Sequence, residues 1–204
     1  MKHLMLFVAT GLFLSVNVSA QQSLNWSESD RNYLMTELTR SREELIRETT
    51  GLTEEQWNFR ESPDRWSINQ IIEHLSIWEL LFQREISLAL VAGPQPALQL
   101  KQPPDSVKLG FLMEERPHIT TEYTKPFTFT VPMGVNKGED NMGWLLKMRN
   151  ESLAYLSTTQ EDLRAYYLKE GRSSIHQIYI STFGHTDRHL RQIRKIKSHP
   201  QYPK

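Results

Sequence analysis

The 204-residue chain has no cysteine, which excludes disulfides, thiolate metal sites and cysteine nucleophiles together. Any metal it holds must be bound through nitrogen and oxygen. It has no excess of charge, with 24 basic and 24 acidic residues, so it lacks the field that gathers nucleic acid or an anionic membrane, and no nucleic-acid partner is expected. No internal apolar run is long enough to span a bilayer. There is no glycine-rich phosphate loop, no serine in a nucleophile elbow, no repeat and no low-complexity tract. What remains is the composition of one soluble domain.

The first twenty residues read separately. Lys2 and His3 precede the apolar stretch Leu4 to Leu14, and Val18-Ser19-Ala20 leads into polar Gln21 and Gln22. That is the layout of a secretory signal peptide, too short for a stable membrane span; an uncleaved anchor or a buried first helix is the alternative. Cleavage after Ala20 leaves a domain of residues 21–204 with a formal charge of 23 − 24 = −1. Such a chain is exported, periplasmic or secreted, with no membrane association after cleavage.

Helical periodicity then recurs four times. Residues 27–49 carry Tyr33, Leu34, Leu38, Leu45 and Ile46 between charges, and Gly51 stops the run. Thr53 with Gln56 forms a capping box for a short helix, in which Leu52 can staple onto Trp57. Ser67 with Gln70 repeats the device, with Trp66 as the staple, for a core helix over 67–91 bearing Ile71, Leu75, Trp78, Leu81, Phe82 and Ile86. A third helix over 140–158 carries Trp144, Leu145, Met148, Leu153 and Leu156. Residues 160–167 read as a short helix or turn. A last helix over 174–198 opens on a capping box of Ser174 and Gln177.

Between the second and third long helices lies a proline-rich connection, residues 93–139, with a short helix expected near Ser106 to Glu115 and an extended segment from Pro126 to Pro132. A connection this long is a candidate lid. The fold class is therefore all-α, a four-helix bundle with one long crossover.

Seven histidines carry the chemical signal. His185 and His189, four apart on one helix, lie about 40° apart on one face and can reach one ion at roughly 2.0–2.1 Å; a solvated helix face is the plainer explanation of such a pair. Ser181, His185, His189 and Gln192 share a stripe beside apolar Ile178 and Phe183, which argues that the stripe faces inward. Gly184 leaves room for a neighbouring helix. His74 interrupts the apolar run of a core helix, where an imidazole needs a partner. It is either a hydrogen-bonded core histidine or the third nitrogen of a site shared with His185 and His189, with a position left open for water. Gln70, Glu73, Ser181 and Gln192 are candidates for the oxygen that fixes each imidazole tautomer. Trp78 either walls the pocket or is plain core. His176 falls on the opposite face of its helix, His118 lies in the connection, and His199 is in the tail.

The segments Gly51-Leu52-Thr53-Glu54-Glu55-Gln56-Trp57, Pro63-Asp64-Arg65-Trp66-Ser67-Ile68, Glu73-His74-Leu75 and His185-Thr186-Asp187-Arg188-His189-Leu190-Arg191-Gln192-Ile193 resemble the DinB/YfiT-like family of bacterial metalloproteins over essentially the whole mature chain. The resemblance implies a four-helix bundle and places the family's ligand triad on His74, His185 and His189, with its arginine and glutamine on Arg188 and Gln192. It implies zinc or nickel as the metal, and a homodimer in many members. Among activities it implies hydrolysis of a small-molecule substrate, isomerisation or thiol S-transfer, with a metal-bound water or a substrate thiolate as the reacting group. The export signal departs from the family pattern and speaks against cytosolic thiol cosubstrates. A non-catalytic metal- or ligand-binding protein is the alternative function.

Overall fold

The computed structural model describes residues 25–114, 128–168 and 173–204; the expected signal segment 1–20 and His118 lie outside the described residues. Among the described residues six α-helices occur in chain order: α1 Glu28–Thr49, α2 Glu54–Asn58, α3 Ile68–Ala92, α4 Asp105–Met113, α5 Gly138–Thr158 and α6 Ile175–Lys197. None of the described helices is long and apolar enough to cross a membrane.

The helix starts follow from local chemistry. Thr53 with Gln56 and Ser67 with Gln70 make reciprocal capping boxes, and Ser27 with Asp30 makes a third. At α6 the expected box is half formed. Ser174 accepts from the Gln177 amide, but the Gln177 side chain donates instead to the Pro103 carbonyl and to Asp105. Its amide thereby ties the connection to α6 rather than closing its own cap.

Side-chain pairs give the direction of each long helix. Arg31 bonds the carbonyls of Leu156 and Thr159, and Arg42 bonds Asn150, so α1 and α5 are antiparallel. Arg40 pairs with Asp187 and Glu48 with Lys197, so α1 and α6 are parallel. Asn141 bonds Asn69 and Arg149 bonds Glu79, which makes α3 and α5 parallel. The two middle helices of the bundle thus run the same way, and the chain must travel the length of a 25-residue helix, about 37 Å, between them. This requirement explains the long crossover.

The described parts of the crossover follow the bundle surface. Its first half packs on α6: the space a side chain would need at Gly184 is taken by Leu112, and Arg188 donates to the Glu114 carbonyl at 2.7 Å. Its second half, residues 128–137, returns along α3. Of the expected extended segment, residues 126 and 127 lie outside the described residues, and the rest is a 3-10 turn over Thr128–Thr130 followed by irregular chain, whose carbonyls at Thr130 and Pro132 bond α3 side chains. Residues 160–168 form turns and a single bridge between Tyr167 and Ser174. Trp144, expected on the core stripe of α5, is exposed, with the Lys147 ammonium over its ring.

Two apolar clusters fill the interior, one around Leu38, Leu156, Ile178 and Phe183, the other around Leu45, Ile71, Leu145 and Leu190. Between them lies a polar layer with one residue from each long helix. Arg149, fully buried, bonds Glu79, the Leu38 carbonyl, Ser41 and Thr186. A buried charge is tolerated only when paired and hydrogen-bonded; Arg149 meets that condition and fixes the helices in register, while the second carboxylate oxygen of Glu79, Oε2, is buried without a partner.

Candidate metal centre

Just off this polar layer, α3 and α6 present three imidazoles to one another. His74 Nε2 lies 3.2 Å from His185 Nε2, and His189 Nε2 lies 3.0 Å from the same atom. His74 and His189 are buried, while His185 keeps a partly exposed edge. Among the described residues these three form a cluster able to hold a metal ion.

The outer nitrogens decide the protonation pattern. His74 Nδ1 lies 2.7 Å from the Thr130 backbone carbonyl, which can only accept, so the proton of His74 is on Nδ1. His189 Nδ1 lies 2.6 Å from Gln192 Oε1 and donates to it in the same way. In its neutral form each ring therefore turns an Nε2 lone pair inward. Burial, then the neighbouring His189, His74 and Arg188, hold His185 well below the usual histidine range, so it is neutral at pH 7 and carries at most one proton on Nε2. One proton cannot serve two facing lone pairs.

A cation resolves this conflict. Two nitrogens at about 2.0–2.1 Å from one tetrahedral ion stand roughly 3.3 Å apart, close to the separations observed. The donor set is three imidazoles, two of which, His74 and His189, have the back nitrogen hydrogen-bonded, the arrangement such ions take. The residues present fit a divalent transition metal.

Aromatic rings border the cluster. Trp66 lies with its ring centroid 4.9 Å from that of His74 and stacks on His189 at 6.3 Å, and Trp78 meets His185 edge-on at 5.7 Å. Trp66, expected as a helix staple, is thus part of the wall, and so is Trp78.

Of the candidates for tautomer control, Gln192 contacts an imidazole and the other three bond elsewhere. Gln70 caps α3 through Ser67 and reaches the Pro132 carbonyl at 3.5 Å. Glu73 accepts from the Gly134 amide at 2.6 Å. Ser181 donates to the Gln177 carbonyl of its own helix. The acceptor for His74 comes from the crossover, a backbone carbonyl that no residue type announces. His176 points away from the triad, into a cluster with Trp26, Asp105 and Arg164, and His199 packs on Phe59.

A helical bundle with a long crossover and three inward-facing imidazoles on its second and last long helices defines the class of protein. The family follows from the sequence match: the model of the DinB superfamily matches residues 37–193, and the chain belongs to that superfamily. Among solved structures it is similar to YfiT from Bacillus subtilis, described as "a probable metal-dependent hydrolase with an unusual four-helix bundle topology". The two share 13% identity over 84% of this chain and 88% of that one, with a TM-score of 0.51, a likeness of fold. No curated protein matches the chain.

Proposed function

We propose that this protein holds one divalent transition metal, zinc or nickel, on His74, His185 and His189, and uses it to hydrolyse a small substrate. The observation that carries this reading is the pair of inward lone pairs on His74 and His189, fixed by Thr130 and Gln192 and facing a single neutral imidazole between them. Without a cation, the single proton that His185 Nε2 can carry is shared between two inward lone pairs at 3.0 and 3.2 Å in a buried site, an arrangement that costs free energy.

Bound there, the ion would supply Lewis acidity toward an oxygen or sulfur of the substrate. The chain's own residues set the conditions. Thr130 and Gln192 orient the imidazoles and keep them good donors, Trp66 and Trp78 restrict water around the buried nitrogens, and the exposed edge of His185 marks the side from which a substrate reaches the site. Imidazole ligation suits zinc and nickel alike. Hydrolysis ranks above thiol S-transfer because the N-terminal segment has the layout of an export signal and the chain lacks thiols, both in keeping with an oxidising compartment where small thiols do not stay reduced.

The test is a screen of ester, amide and thiol-transfer substrates with the protein stripped of metal and reloaded with zinc or nickel. Hydrolysis restored by the ion, and lost in His185→Ala, is the expected outcome. Thiol transfer alone would reassign the reaction, and stoichiometric metal with no turnover would leave a metal-binding protein.

A further inference from the structure

Residues 130–136 lie along the first turns of α3 as a strap, and four neighbouring side chains of that helix hold it. Asn69 donates to the Asn136 carbonyl at 2.9 Å, Gln70 reaches the Pro132 carbonyl, Glu73 accepts from the Gly134 amide at 2.6 Å, and His74 donates to the Thr130 carbonyl at 2.7 Å. Alternate strap residues are used, at 130, 132, 134 and 136. The shortest of these bonds, and the charge-assisted one, is that of Glu73. On α3 it neighbours the His74 bond, the one in the ladder that belongs to the imidazole cluster, while on the strap the longer Gln70–Pro132 contact lies between the two. Gly134 has φ +70° and its Cα faces the Gln70 side chain, which a Cβ would approach to 3.2 Å. A left-handed glycine in close contact with α3 is what allows the strap to lie flat there.

We infer that Glu73 is a positioning residue: by pinning the Gly134 amide it holds the Thr130 carbonyl where His74 Nδ1–H needs it, and so keeps the His74 Nε2 lone pair aimed at the metal. This rests on the metal reading above. Glu73 is half-buried and next to a triad residue, and its carboxylate is committed to a backbone N–H of the strap. Its role is therefore that of an acceptor, which an amide oxygen can also fill, and not that of a base.

The test compares zinc affinity and backbone hydrogen exchange over residues 128–136 in the wild type and three variants. Glu73→Ala should weaken zinc binding by about 10–100-fold, the usual cost of removing an outer partner of a ligand, and speed exchange in the strap. Glu73→Gln should recover most of both. Gly134→Ala, which leaves the histidine and Glu73 side chains in place but strains the strap at the residue that Glu73 holds and crowds Gln70, should reproduce the Glu73→Ala phenotype. Wild-type affinity in Glu73→Ala, or a Glu73→Gln variant as weak as Glu73→Ala, would overturn the inference. A wild-type protein that binds neither zinc nor nickel would instead overturn the metal reading on which it stands, and one that takes nickel alone is compared with its variants by nickel affinity.

Discussion

The Nδ1–H of His189 donates to Gln192 Oε1 at 2.6 Å, one turn further along α6. One helix thus supplies a metal-facing imidazole and the group that fixes its tautomer. Gln192 is only partly buried, so its replacement leaves the fold intact. Gln192→Leu should weaken metal binding by about 10–100-fold, while Gln192→Glu, still an acceptor, should retain it. Competition with a chromophoric chelator measures both.

The buried layer at the middle of the bundle makes a second prediction. Arg149 is enclosed on all sides and neutralises Glu79, a carboxyl that burial pushes up against the pull of Arg149. Arg149→Met should cost about 3–5 kcal/mol, because it leaves an uncompensated buried charge, and the pair Glu79→Leu with Arg149→Met should recover much of the loss. Urea denaturation of the two single variants and the double variant closes the cycle.

The legibility of this protein in its sequence was uneven, for physical reasons. Capping boxes at Thr53 and Ser67 are local and were readable, as were helix faces with a strong apolar stripe. The convergence of His74 with His185 and His189 was readable because an imidazole within a core run needs a partner. Two features were not. The acceptor for His74 is a main-chain carbonyl 56 positions away, and backbone atoms carry no residue signature. The Glu79–Arg149 layer had a signal, since a charge at Arg149 sits among Leu145, Met148, Leu153 and Leu156, but periodicity alone does not name its partner across the bundle. The crossover reads as a candidate lid; of its described parts, one is docked along α6 and the other along α3. The described part of the extended pattern, from Thr128 to Pro132, is not a strand because its carbonyls bond side chains of a helix.

A third prediction concerns acid. Partial burial favours the neutral form of Asp105, but hydrogen bonds with His176 and Arg164 outweigh it and hold the carboxyl well below the usual carboxylate range. The unfolded chain, with an aspartate pKa of about 3.9, binds the proton first as pH falls. The stability contributed by Asp105 is therefore fully present above about pH 4 and lost progressively below it. Asp105→Asn should cost about 1–3 kcal/mol at neutral pH and make the acid limb of the stability curve shallower, with Asp30, Glu44 and Glu48, also held low by arginine partners, supplying the remainder. Chemical denaturation between pH 3 and 7 measures the difference.

The central claim is that three imidazoles share one ion. X-ray absorption at the metal edge of the untagged, zinc- or nickel-loaded protein addresses it most directly. One ion per chain with three imidazole nitrogens at about 2.0–2.1 Å, falling to two nitrogens in His74→Ala, is the result expected. An ion surrounded by oxygen alone, or a spectrum that His74→Ala leaves unchanged, would contradict it.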